Sequence, residues 1–110
     1  MKFEINELEK QLDMQGTFDV VIYNVIDKDD GFIMLMKTKD ERTISDYLTI
    51  SESTRKFRSR LCNLIGLYKS PVDSQDFIGR YLNIKVTKRG NDFYVTHYEK
   101  CFEPFTAVES

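Results

Sequence analysis

Apolar and polar residues alternate with a period of two through most of this chain and with a helical period through one stretch. Thr17 to Ile26 reads Thr-Phe-Asp-Val-Val-Ile-Tyr-Asn-Val-Ile, β-branched and aromatic, which predicts a strand. Phe18, Val20 and Ile22 share one face, and Asp19, Val21 and Tyr23 the other. Lys28-Asp29-Asp30-Gly31 follows, and Asp-Gly between apolar runs signals a hairpin. The second strand, Phe32 to Thr38, contains Phe-Ile-Met-Leu-Met and is apolar on both faces, so alternation does not orient it. A polar turn through Lys39-Asp40-Glu41-Arg42 leads to a third strand, Thr43 to Ser51. There Ile44, Leu48 and Ile50 are expected in the core and Tyr47 on the outside.

The pattern then changes period. From about Ser53 to Ile65, Phe57, Leu61, Leu64 and Ile65 recur at i, i+4, i+7 and i+8, which predicts a helix with one apolar face. Ser51 or Ser53 suits its start, and Gly66 with Pro71 beyond suits its end. Arg55, Lys56, Arg58 and Arg60 lie away from the centre of the apolar face, as a solvated face would.

After a loop from Tyr68 to Gln75, the period returns to two. In the fourth strand Leu82, Ile84 and Val86 alternate with Tyr81, Asn83, Lys85 and Thr87. Lys88-Arg89-Gly90-Asn91-Asp92 is a turn. In the fifth strand, Phe93 to Tyr98, strict alternation opposes Phe93 and Val95 to Tyr94, Thr96 and Tyr98. Residues 1–16 form an N-terminal arm, readable as a short helix, an added strand or a loose segment. Residues 17–101 form one domain, and residues 102–110 a tail. Three strands, a helix and two strands is the order of the five-stranded Greek-key barrel called the OB-fold, in which the helix plugs one end between strands three and four. A mainly β, OB-like barrel is therefore the expected architecture. An open sheet with the helix packed across it is the alternative.

Composition sets the outer bounds. At 110 residues the chain suits one domain with one modest core. No apolar run approaches the ~20 residues of a membrane span, and the N-terminus lacks the apolar block of a secretory signal. Cys62 and Cys101 are isolated, without a C-x-x-C spacing, so reduced thiols of a cytoplasmic protein are expected rather than a disulfide. The net charge of −2 conceals a segregation. Residues 1–52 carry 6 Lys/Arg against 12 Asp/Glu, whereas residues 53–101 carry 10 against 4. A basic surface on an acidic protein is compatible with that division, and so is cancellation if the two halves interleave.

Half of the chain, from Leu48 to about Phe102, carries a wider pattern. It consists of a strand with a polar end, then Ser-Thr-Arg-Lys-Phe, Leu-Cys-Asn-Leu-Ile-Gly-Leu, a variable loop, Phe77-Ile78-Gly79-Arg80 opening an alternating strand, and the aromatic strand Phe-Tyr-Val-Thr-His-Tyr. This resembles the small single-stranded-DNA-binding proteins encoded by bacteriophages and mobile elements. The resemblance implies an OB-fold, a non-enzymatic role in replication or recombination, and the cytoplasm of a bacterial host. It also implies single-stranded DNA as ligand, replication or recombination proteins as partners, and compatibility with a homo-oligomer. The acidic Asp29-Asp30 turn departs from the basic hairpin that would suit such a binder.

Single-strand binders stack bases on aromatic faces and meet phosphates with Lys or Arg. In an OB-fold, ligand crosses strands two and three between the 1–2 and 4–5 loops. Those rules select Tyr47, Lys37, Lys39, Arg42, Lys88 and Arg89, then Tyr23 and Tyr94. Tyr81 and Tyr98 are further platforms by strand parity. Each tyrosine has an ordinary alternative, a packed ring with its hydroxyl at the rim. No catalytic arrangement surrounds His97, the only histidine, and no zinc spacing, phosphate loop or metal-binding loop appears, so neither an enzyme nor a cofactor is expected. The rival reading is an OB-like protein-interaction module, a replication-complex adaptor or an anti-host factor, using the same surface.

Overall fold

The alternating runs become six strands, and the helical run one helix. The computed structural model describes residues 10–105. In chain order its elements are β1 (Lys10–Gln11), β2 (Gly16–Lys28), β3 (Gly31–Thr38), β4 (Arg42–Thr49), α1 (Arg55–Leu64), β5 (Tyr81–Arg89) and β6 (Asp92–Lys100), with 3₁₀ turns at Glu52–Thr54 and Ser74–Phe77. The chain is mainly β. Its five long strands form an antiparallel sheet, and β1 is added in parallel to β4, giving the order β1-β4-β3-β2-β5-β6. The part of the N-terminal arm that is described thus supplies an added strand. Residues 1–9 of that arm, and 106–110 of the tail, lie outside the described residues. No helix among the described residues is long and apolar enough to cross a membrane.

Parity sorts the core. Val20, Ile22, Met34, Met36, Leu82 and Ile84 are fully enclosed, the inward members of β2, β3 and β5. Against them α1 presents Leu61, and Ile65 follows at its end, both buried. The helix ends as its sequence suggests. Gly66 takes φ +83, Leu67 N–H donates to Cys62 O at 2.9 Å, and Gly66 N–H to Asn63 O at 3.3 Å, a Schellman closure that only glycine enters without strain. At the other end Ser51 N–H donates to Thr54 Oγ1 at 3.2 Å. The helix proper starts at Arg55, after the 3₁₀ turn, rather than at Ser53.

The sheet is not a closed barrel. No backbone pairing joins β4 to β6 among the described residues. The outer edge of β4 is occupied in two other ways. β1 pairs with Arg42 and Thr43, and further along the Asp46 carboxylate accepts the backbone N–H of Tyr47. The groups bonded in these ways are not available for a ladder to β6. Instead the ends of the sheet meet through side chains, where the Tyr98 hydroxyl donates to Asp46.

Two sequence expectations about burial are overturned. Tyr98 is buried rather than outward, because a bulge in β6 between the pairs Lys85↔His97 and Val86↔Val95 shifts parity by one residue. Its ring meets Phe57 of α1 edge-on, with centroids 5.8 Å apart. Ile50 is 56% exposed, because β4 ends at Thr49 and the chain turns away toward α1. The hairpin signalled by Asp-Gly forms, with Asp29 and Asp30 as its turn and Gly31 already paired with Lys28 as the first residue of β3. A Cβ there would stand 2.1 Å from Leu48 O, so glycine lets β4 approach.

Candidate nucleic-acid interface

The outer surface of β2, β3 and β4 is built by register. Ile33 pairs with Tyr47, Leu35 with Ser45, and Lys37 with Thr43. Because Phe32, Met34 and Met36 point into the core, Ile33, Leu35, Lys37, Ser45 and Tyr47 point outward, while Thr43 opposite Lys37 is buried. On the β2 side a bulge at Tyr23 resets parity, so that Asn24 pairs with Leu35 and Ile26 with Ile33. Val25 is then buried and Ile26 is 42% exposed. Ile26, Ile33 and Tyr47 form one row across three strands, and Asn24, Leu35 and Ser45 the next.

Tyr47 is 43% exposed, as its parity predicts. Its hydroxyl donates to Asp30 of the β2–β3 turn, which holds the phenol proton above its ordinary pKa. That bond anchors the ring tip at the acidic hairpin. Lys37 lies on the same face, its Nζ 4.8 Å from the centre of the Tyr23 ring, a cation–π contact. Tyr23 and Lys37 are therefore brought together. Lys39 is exposed on the β3–β4 turn. Arg42 belongs to a local ion-pair cluster instead, reaching Asp40 at 3.1 Å and Asp13 at 3.4 Å.

The remaining candidates sit on the β5–β6 hairpin. Lys88 and Arg89 are exposed there, and the Lys88 ammonium lies 5.9 Å from the Phe93 ring centre. Tyr94 is 47% exposed and lines a cleft of about 540 Å³ with Ser45, Thr43 and Asn91. Ser45 is two residues from Tyr47 on the same face of β4. A continuous surface thus runs from Tyr47 through Ser45 to Tyr94, over the seam between β4 and β6.

No protein-family model matches the chain, and no curated protein sequence matches it.

Two sequence candidates are drawn elsewhere. Tyr98 is in the core, and Tyr81 packs edge-on against Phe105 at 5.3 Å while its hydroxyl donates to Phe105 O. Sequence reasoning missed Ile26, Ile33 and Leu35 as surface groups. The signal was present in β3, whose every central position is apolar, since such a strand gives both faces of a sheet apolar character. His97 lies exposed with Nδ1 3.4 Å from Thr96 Oγ1. No group of three or more His, Cys, Asp or Glu suited to a metal occurs among the described residues.

Proposed function

We propose that this chain is a non-enzymatic single-stranded-DNA-binding module of OB type, serving replication or recombination of a phage or mobile element. The observation that carries the reading is the outward row of Tyr47 and Ser45 on β4, with Lys37 on the same face of β3 and Tyr94 lining one cleft with Ser45. Lys88 and Arg89 are exposed on the same hairpin as Tyr94. Counted over the long strands β2 to β6, the sheet order is third, second, first, fourth, fifth. That is the order of an OB barrel opened between its third and fifth strands, and the Tyr98–Asp46 contact spans that opening. The surface covers the second and third of these strands and reaches the last hairpin, where OB-folds take oligonucleotides.

Exposed tyrosines stack bases with little regard to identity, each contact contributing about 1–3 kcal/mol. Lysines and arginines add affinity by releasing counterions, with a slope near −0.7 per phosphate on single strands. Titration of labelled oligo-dT and of duplex DNA at two salt concentrations tests the reading. Single strands should bind more tightly than duplex. Tyr47→Ala should weaken binding at constant salt slope, because it removes stacking and no charge. Lys88→Ala with Arg89→Ala should flatten the slope by about one to two contacts. Arg42→Ala should change affinity little, since its guanidinium already serves Asp13 and Asp40. Absence of single-strand binding at low salt would transfer the surface to the second reading, a protein-interaction module. That reading is favoured by the aliphatic row of Ile26 and Ile33 beside Tyr47, and by the carboxylate of Asp30 on its hydroxyl.

A further inference from the structure

At the other end of β4 a second cleft opens, with different chemistry. It has a volume of about 430 Å³ and lies between α1 and the segment 67–77, within the range of about 300–1,000 Å³ in which ligand pockets fall. Its floor is apolar, made by Phe32, Leu48 and Phe77, which belong to the core and are nearly fully buried. At its rim Tyr68 is 77% exposed and Ile50 56%, so large apolar groups stand in water beside an apolar floor. Cys62 lines one wall half-buried, and loss of hydration pushes its thiol pKa up, against a smaller opposing pull from Arg58.

All the charged residues lining this cleft are cationic: Arg55, Arg58 and Lys69. Arg58 is held in place, its Nη2 donating to Ser51 O at 2.7 Å and its Nε to Thr54 Oγ1 at 3.3 Å. Four carboxylates stand nearby. Within the 67–77 segment Asp73 accepts the Gln75 N–H at 2.9 Å and Asp76 the Asp73 N–H at 3.1 Å. Glu52 pairs with Arg55 at 3.5 Å, but both side chains are largely in solvent, and such exposed pairs hold only weakly. Asp27 accepts a bond from the Ser74 hydroxyl. Lys69 has no carboxylate partner among the described residues. The cleft therefore combines an enclosed apolar floor with a basic rim.

We propose that this cleft docks an acidic peptide segment of a partner protein through an aromatic or aliphatic anchor side chain. The anchor packs against Ile50, Tyr68 and Val72 above the buried floor, and flanking carboxylates meet Arg55, Arg58 and Lys69. A peptide fits better than a nucleic acid strand, because the floor is a recess made of core side chains and not a flat aromatic platform with a basic track beside it. The proposal is independent of what the outer face of β2–β4 binds.

The test uses a fluorescently labelled peptide of alternating Asp and Phe, titrated by anisotropy into the full chain. Two control peptides replace Asp by Asn or Phe by Gly, and both should bind at least tenfold more weakly. Arg55→Glu combined with Lys69→Glu alters only exposed side chains and should lower affinity for the acidic peptide at least tenfold. Alkylation of Cys62 by iodoacetamide, mapped by mass spectrometry, should slow when the peptide is bound, while that of Cys101 should not. Equal binding of the three peptides would overturn the proposal, as would indifference to the charge reversals or an unprotected Cys62. If oligo-dT protects Cys62 and loses affinity on charge reversal while the peptide does neither, the cleft is a nucleic-acid surface and the proposal falls.

Discussion

β4 is held differently along its two edges. On the β3 side an unbroken ladder of seven pairs runs from Gly31↔Thr49 to Lys37↔Thr43. On the other side β1 covers only Arg42 and Thr43, and side chains do the rest. Asp46 takes the Tyr47 N–H and the Tyr98 hydroxyl, and Phe57 of α1 packs edge-on against the Tyr98 ring. A ladder is made from groups that every residue carries, so side-chain substitutions leave it intact unless they disturb the backbone approach. A seam made by two named side chains depends on single atoms. The first edge should therefore fail to backbone crowding, and the second to loss of one hydroxyl or one charge.

Crowding the ladder should have the largest effect. Gly31→Ala places a Cβ 2.1 Å from Leu48 O and 2.9 Å from the Thr49 Cα. Both are backbone atoms, so no rotamer change relieves the overlap, and β3 and β4 must part at the end away from the turn that joins them. Overpacking usually costs about 1–3 kcal/mol, occasionally more. Here a loss of about 3 kcal/mol or more is expected in urea denaturation. A variant of wild-type stability would mean that β4 approaches β3 less closely at Gly31.

The two edges were not equally legible in the sequence. Ladder strands announce themselves by alternation, and Tyr47 could be placed outside because Ile44 and Leu48 flank it with the opposite parity. α1 was legible from Leu61 and Ile65, and its end from Gly66. The seam was hidden for two physical reasons. A bulge inserts one residue without any compositional mark, and the one in β6 turned Tyr98 from an expected platform into a core residue. The bulge at Tyr23 likewise moved Ile26 outward. The partner of Tyr98 is also distant in sequence, although Asp46 left a trace. It shares parity with Ile44 and Leu48, and a carboxylate among inward positions needs a donor. Among the site candidates, Tyr47 follows from parity, whereas Lys37 follows only from its place at the end of the second strand, whose apolar faces give alternation nothing to orient. The engagement of Arg42 by Asp13 and Asp40 required the fold of the arm. The cleft beside α1 is assembled from β3, β4, α1 and the 67–77 segment, and no local pattern announces such a meeting.

Removing one hydroxyl from the seam should have an intermediate effect. Tyr98→Phe keeps the ring against Phe57 and takes away the donor to Asp46. Asp46 is only partly buried and retains the Tyr47 N–H, so the expected loss is about 1–2 kcal/mol. Hydrogen exchange should localise the change, with β6 amides less protected and β2–β3 amides unchanged. An unaltered denaturation midpoint would show that apolar packing under α1 holds the seam without the hydroxyl.

The smallest effect is expected from removing the charge while keeping an acceptor, and it appears only as a pH dependence. Loss of hydration raises the Asp46 pKa above the ordinary carboxylate value, against the pull of the bonds from Tyr98 and the Tyr47 N–H. Burial and the neighbouring carboxylate hold the Tyr98 hydroxyl protonated far beyond neutral pH, so Asp46 is the member of the pair that titrates. A carboxyl with a raised pKa binds its proton more tightly in the folded chain than in the unfolded one. Its contribution to stability is therefore full below the ordinary pKa of about 3.9 and is lost as pH rises through the raised value. Asp46→Asn has no such titration and still offers Oδ1 to Tyr98. The variant should thus gain on the wild type as pH rises from the ordinary carboxylate pKa through the raised one. Each tenfold difference in proton affinity between the folded and unfolded states corresponds to about 1.4 kcal/mol. Urea midpoints of both proteins across that range measure the gain, and parallel curves would show that Asp46 ionises in the seam as freely as it does in the unfolded chain.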